Sequence, residues 1–120
     1  VDDIRRRRVE GELRDIIAEL IIGGAVKDPR VGPFVSVTRV EAARDLSAAK
    51  VFVSVFPGAE GSDEKSLDLA VEGLRNAAGF IQAQLARRLK TRLTPRLNFL
   101  ADKGIKEGFE LTERMKGLFS

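Results

Sequence analysis

The sequence predicts an α+β fold whose elements run helix, strand, strand, helix, kink, helix, strand, helix. Three observations carry that prediction: apolar residues spaced three and four apart near the N-terminus, two Val-rich extended runs that follow, and two apolar-faced helical segments interrupted by a glycine. At 120 residues and 43% hydrophobic, the chain supports one core and is too short for two, so a single domain spanning residues 1–120 is expected.

Val9, Leu13, Ile16, Ile17, Leu20 and Ile21 mark one face of a helix over residues 3–22, which Gly23-Gly24 ends. Asp28-Pro29 disfavours helix at Asp28, and Gly32-Pro33 introduces an extended stretch over residues 34–42. A second run, residues 49–56, sets Val51, Val53 and Val55 against Lys50, Phe52, Ser54 and Phe56. Both faces are partly apolar, as suits a more central strand, antiparallel to the first. Residues 57–63 are turn chemistry and read as a surface loop.

Leu67, Ala70, Val71, Leu74 and Ala78 face a helix starting near Ser66, and Ile81, Leu85 and Leu89 continue one beyond Gly79, where the two segments meet. A glycine inside a helix costs about 1 kcal/mol against alanine, so Gly79 marks a bend or a close backbone approach. Thr94-Pro95 stops the second segment, and Leu97, Phe99 and Leu100 indicate a third strand through Ala101. A last amphipathic segment carries Phe109, Met115, Leu118 and Phe119.

The charge is unevenly placed. Between Glu72 and Asp102 there is no acidic residue, yet Arg75, Arg87, Arg88, Lys90, Arg92 and Arg96 lie there. Residues 1–56 nearly balance, with ten basic and nine acidic side chains, so the net +3 is concentrated where a polyanion such as RNA is attracted and little repelled. A helix-end reading accounts for Arg87, Arg88 and Lys90, which favour the macrodipole, but not for the missing acids over the rest of the stretch.

Several classes are excluded. The longest uncharged apolar run, residues 20–26, is far below the roughly 20 residues that span a bilayer, and no secretory signal is visible. With neither cysteine nor histidine, disulfides, thiolate metal sites and the commonest general base are absent, so no metal, cofactor or small-molecule substrate is expected. A nuclease would need a base and clustered carboxylates; the acids that do cluster, in residues 60–72, lie away from the basic stretch.

Three stretches point further. Lys27-Asp28-Pro29-Arg30-Val31-Gly32 precedes the first strand, Val40-Glu41-Ala42-Ala43-Arg44-Asp45-Leu46-Ser47-Ala48-Ala49-Lys50-Val51-Phe52-Val53 crosses the hairpin, and Ala77-Ala78-Gly79-Phe80-Ile81 spans the helix break. With Arg5, Arg8-Val9 and Leu93-Thr94-Pro95-Arg96-Leu97 they resemble the ribosome-binding factor A family over nearly the whole chain, and the element order resembles a type II K-homology domain. The resemblance implies a three-stranded sheet with helices on one face and a kink, Ala77-Ala78-Gly79, in place of the usual glycine loop. It also implies a non-enzymatic, monomeric, cytoplasmic assembly factor that binds the small ribosomal subunit and its RNA and helps that RNA mature, notably in the cold. Two departures stand out: Gly23-Gly24 replaces polar helical residues, so the first helix is open to ending early, and Pro33 crowds the start of the strand.

The expected RNA-binding residues are therefore Arg75, Ala77, Ala78, Gly79, Arg87, Arg88, Lys90, Arg92 and Arg96, extended by Lys27, Arg30, Arg44 and Lys50 if the fold gathers them. Small residues at a bend would let a phosphate backbone approach main-chain N–H groups; the bland alternative is a glycine that lets elements pack closely. Gly58-Ala59-Glu60-Gly61 spells the clamp of ordinary K-homology domains but follows a strand and sits among acids, so it is rejected. Arg5 to Arg8 are flanked by Asp2, Asp3, Glu10 and Glu12 and fit a solvated face or an RNA contact equally. Asp45 is expected to stabilise the hairpin turn. The seven phenylalanines are expected to be mostly core, which disfavours base stacking on the sheet. A rival reading makes the chain a protein-interaction module whose basic face is incidental.

Overall fold

The computed structural model describes residues 3–32, 34–55, 64–89 and 94–102. The predicted C-terminal helix, the loop at residues 57–63, Phe56 and Pro33 lie outside them. The first helix, α1 (Asp3–Ile22), turns Val9, Leu13, Ile17, Leu20 and Ile21 into the core. It ends where the glycine pair predicts: Gly24 takes φ 72° and donates to the Ile21 carbonyl, while the Ala25 N–H reaches back to Leu20. Only glycine occupies this left-handed position without strain, and the two bonds satisfy carbonyls the helix leaves open.

Two strands follow, β1 (Val35–Ala42) and β2 (Ala48–Val55), then α2 (Glu64–Asn76), α3 (Ala78–Arg88) and β3 (Arg96–Ala101). The sheet order is β1-β2-β3, with β1 antiparallel and β3 parallel to β2, so β2 is central as its two-sided apolar pattern predicts. One sheet face, with Val35, Val40, Ala42, Ala49, Val51, Val53, Leu97 and Phe99, is buried. The helices cover it. The other face carries Arg39, Glu41, Lys50, Asn98 and half-buried Phe52.

Strict alternation along β1 would send Val40 to the wrong face, because Val35 and Val37 already point inward. The register shift between Val37 and Arg39 corrects this: Val37 pairs with Val53 and Arg39 with Phe52, leaving Thr38 as an extra residue. This bulge places Thr38 and Arg39 both outward and returns Val40 and Ala42 to the core. The hairpin turn is held by Asp45, whose carboxylate accepts from the Ser47 Oγ–H at 2.7 Å and the Ser47 N–H at 3.1 Å. Those two bonds hold the Asp45 carboxyl below its usual range, which bears out its structural role. Buried Leu46 closes the turn at φ 60°.

Glycines in the helices divide by what surrounds them. A Cβ on Gly73 of α2 would meet Val31 Cγ2 at 2.9 Å, Asp28 Oδ1 at 3.0 Å and Arg30 Cβ at 3.1 Å, so residues 28–31 lie directly on the α2 backbone there. At Gly11 and Gly79 a Cβ would meet no described atom within 4 Å beyond the helix's own backbone. Gly73→Ala is therefore expected to destabilise by about 1–3 kcal/mol, while Gly79→Ala is neutral or stabilising by about 0.5–1 kcal/mol. Urea melts of the two variants beside the parent, read as shifts in midpoint at constant slope, check both signs.

Candidate nucleic-acid interface

The helix break falls at Ala77, the first residue of the kink that the resemblance implies and two residues before Gly79, where helical spacing alone puts it. The Ala77 N–H still donates to Gly73, and the Ala77 carbonyl accepts the first bond of α3 from Ile81 at 3.0 Å, so Ala77 serves as the last link of one helix and the N-cap of the next. Its φ and ψ are −88° and 2°, and no side chain caps α3. Gly79 thus sits inside the first turn of α3 with open space beyond its Cα. A packing role within the described residues is excluded for Gly79. What remains is a helix N-terminus, with its partial positive charge, that an external group can approach closely.

Ile81 and Leu85 bury one side of α3. The opposite side presents Gly79, Phe80, Ala83, Ala86 and Arg87, all exposed and, at 100° per residue, all within one third of the helix circumference. Phe80 is 43% exposed. The expectation that the phenylalanines are mostly core therefore fails for the described ones: Phe99 is fully buried, but Phe34 and Phe80 are exposed and Phe52 lies half-buried on the outer sheet face. The reason at Phe52 is alternation, since Val51 and Val53 take the core side of β2. Its ring instead carries the Arg39 guanidinium 4.1 Å above its centroid.

The predicted cations are not equivalent. Arg75 donates its Nε–H to the Phe99 carbonyl of β3 at 3.1 Å, and Arg88 pairs with Glu19 of α1. Arg30 forms a two-pronged pair with Asp28, at 2.9 and 2.7 Å, and lies 3.8 Å from Glu72. These three tie elements together as well as carrying charge. Arg87, Arg96, Lys27, Arg44 and Lys50 are exposed and have no ion-pair partner among the described residues. Lys90 and Arg92 lie outside the described residues, as does Gly58-Ala59-Glu60-Gly61.

The structure gathers the predicted residues into two groups. Asp28 links the loop of Lys27 and Arg30 to the kink, because its Oδ2 accepts from the Asn76 side chain at 3.3 Å, one residue before Ala77. Lys27, Arg30, Arg75 and residues 77–79 thus share the α2–α3 junction. Arg44, Lys50 and Arg96 gather instead at the hairpin end of the sheet: Arg96 pairs with Ala48, and its N–H donates to the Ser47 carbonyl at 3.0 Å. Sequence reasoning missed Asp28 and Asn76 as the residues that position the first group. In the sequence Asp28-Pro29 signals a helix stop and belongs to the stretch that resembles the family, but neither signal points to Asn76, 48 residues away.

A family model described as Ribosome-binding factor A matches residues 5–115. The chain belongs to this family. The ribosome-binding factor A of Treponema denticola is 40% identical over 118 residues, covering 98% of this chain and 86% of that protein. The crystal structure of ribosome-binding factor A from Thermus thermophilus superposes with a TM-score of 0.65 at 32% identity, covering 80% of this chain and 93% of that one. A homology model of the same Thermus protein, fitted into a cryo-EM map of its complex with the 30S subunit, gives a TM-score of 0.57 at 34% identity, covering 78% and 90%. The three-stranded α+β fold predicted from the sequence is thus shared with structures of the family.

The Arg30 side chain, and after it the Arg30 backbone N–H at 2.9 Å, hold the Asp28 carboxyl well below the usual carboxylate range. A carboxyl with a depressed folded-state pKa contributes stability that is fully present above its unfolded value, about pH 4, and is lost as pH falls toward the folded value. Relative to an Asp28→Asn variant, the parent chain is expected to hold a constant stability advantage above about pH 5 that shrinks progressively below about pH 4. Paired urea melts across that range check it, and an advantage independent of pH would show that the carboxylate charge is not what anchors the loop.

Proposed function

We propose that this chain is a non-enzymatic assembly factor that binds the small ribosomal subunit through ribosomal RNA, with the exposed side of α3 and the α2–α3 junction laid against the RNA backbone. The observation that carries the reading is Gly79: a glycine in the first turn of a helix with no side-chain cap, with no described atom packed where its side chain would be, in a segment cleared of acids. Phosphate oxygens approach such a turn closely, Ala77, Ala78 and Ala83 leave the path open, and Arg87 supplies the counter-charge further along. Lys27, Arg30 and Arg75 stand beside the kink. Arg44, Lys50 and Arg96 extend the contact around the hairpin end, and Lys90 and Arg92 add to the basic stretch by sequence.

Family membership and the fitted 30S complex of the Thermus relative support the choice of the small subunit. The role proposed for the bound state is to promote late maturation and processing of precursor small-subunit RNA, including at low temperature, as a single-domain monomer in the cytoplasm. Holding an RNA segment by its backbone needs neither metal nor general base, which fits a chain without histidine or cysteine.

Co-sedimentation with free small subunits, large subunits and whole ribosomes tests the partner. Preference for free small subunits is expected, with log affinity falling against log salt at a slope near about −3.5 if about five phosphates are neutralised. Gly79→Leu is expected to keep its melting profile and lose subunit binding, because the new side chain projects into open space that the RNA would occupy. Equal binding by Gly79→Leu, or a flat salt response, would sink this reading in favour of a protein-interaction surface.

A further inference from the structure

A second basic feature lies on the opposite, β1 side of the sheet. There the N-terminal half of α1 and the bulge of β1 enclose an open groove of about 300 Å³ whose walls include Arg7, Arg14 and Arg39. Among the described residues that line it the acid is Glu10, which accepts from the Ala42 N–H at 2.7 Å and so is held against the strand edge, leaving three positive charges against its one. Arg7 has no ion-pair partner among the described residues. Arg14 and Arg39 pair only loosely, with Asp15 at 3.5 Å and Glu41 at 3.3 Å, and all four of those side chains are more than half exposed. Such pairs are weak and exchange readily for a phosphate, which arginine binds through two parallel N–H donors.

The floor of the groove is Gly11. Apart from proline, glycine is the poorest helix former, and Gly11 sits mid-helix with no described atom beyond its own helix backbone within 4 Å of its missing side chain. Neither internal packing nor backbone conformation demands it. Across the groove, the alternation that sends the Ala42 N–H to Glu10 also turns the Val40 N–H away from β2, toward the same space. A surface with three guanidinium groups, an outward backbone edge and a bare helix turn between Arg7 and Arg14 suits a chain of phosphates that comes close to the helix backbone.

We infer that this groove is a second site for the phosphate backbone of single-stranded RNA, separate from the α2–α3 kink. The inference rests on the RNA-binding reading above and adds to it a contact on the far edge of the sheet. No free aromatic face lines the groove, since the Phe52 ring lies beneath Arg39, so the site holds backbone and reads no bases.

Amide NMR of the ¹⁵N-labelled chain during titration with oligouridylate separates the two sites. Shifts are expected at Gly11, Arg39 and Val40 as well as at residues 78–80. The Arg7→Gln, Arg14→Gln double variant is expected to lose the first set, keep the second, and lower the salt slope of binding by about 1.4. Gly11→Leu, which enters open space, should leave the melting temperature unchanged or raise it while also losing the first set. Shifts confined to residues 78–80 overturn the groove and leave the kink standing, whereas no shift at either place means the RNA reading itself has failed. Groove shifts produced by polyglutamate and not by oligouridylate would assign the site to an acidic protein segment and overturn the proposal.

Discussion

Two hydrogen bonds to the outer edge of β3 hold the kink in place. In a strand paired on one side only, alternate main-chain groups face away from the sheet; on β3 these belong to Leu97 and Phe99, because Arg96 and Asp102 donate inward to β2 and its turn. The Leu97 N–H donates to Gln82 of α3 at 3.2 Å, and the Phe99 carbonyl accepts from Arg75 of α2 at 3.1 Å. One strand therefore pins both helices, one on each side of Ala77. The angle at the break is set by where those two side chains must reach, not by any intrinsic weakness of the helix. The same bonds cover an edge that would otherwise be open to pairing with another strand. Behind them, Leu74, Ile81, Leu85 and Phe99 are fully buried against each other's elements, so moving the kink means opening the core.

That anchoring changes the meaning of the basic stretch. A run without acids in sequence is not a run without acids in space: Arg88 finds Glu19 on α1, and Arg75 spends its Nε–H on a backbone carbonyl. Their charge still contributes to the local field, but releasing either side chain to a ligand loosens a contact between elements. Arg87 and Arg96 carry no such obligation. Between exposed residues these pairs stabilise weakly, so the arginines separate by geometry more than by energy.

Much of the fold was legible because its signals are local. The heptad-like spacing of Val9, Leu13, Ile17 and Leu20 marks α1, and Gly23-Gly24 marks its end. The hairpin, the central place of β2 and the turn role of Asp45 follow from Val alternation and side-chain chemistry. What escaped depends on contacts distant in sequence. Helical spacing points to Gly79 as the weak point and so misses that the break lies at Ala77, within the Ala77-Ala78-Gly79 kink, flanked by the tethers at Arg75 and Gln82. The bulge at Thr38 leaves only a faint trace, two successive polar residues between valines. Asp28 meeting Asn76, 48 residues later, leaves none.

The helix glycines Gly11 and Gly73 and the first-turn Gly79 show how sequence and contact geometry combine. Propensity alone treats Gly11, Gly73 and Gly79 alike, since each weakens its helix by a similar amount. Contact geometry separates them. Gly73 is explained from within, because Val31, Asp28 and Arg30 fill the place of its side chain, and through Asp28 that packing reaches Asn76 and the kink. Gly11 and Gly79 have helical backbones and empty surroundings, so nothing inside the described fold compensates their helix penalty. Gly11 lies between Arg7 and Arg14, while Gly79 shares its side of α3 with Arg87, about two turns further along. On the RNA-binding reading proposed above, both open positions are places where an external group can approach the helix backbone closely.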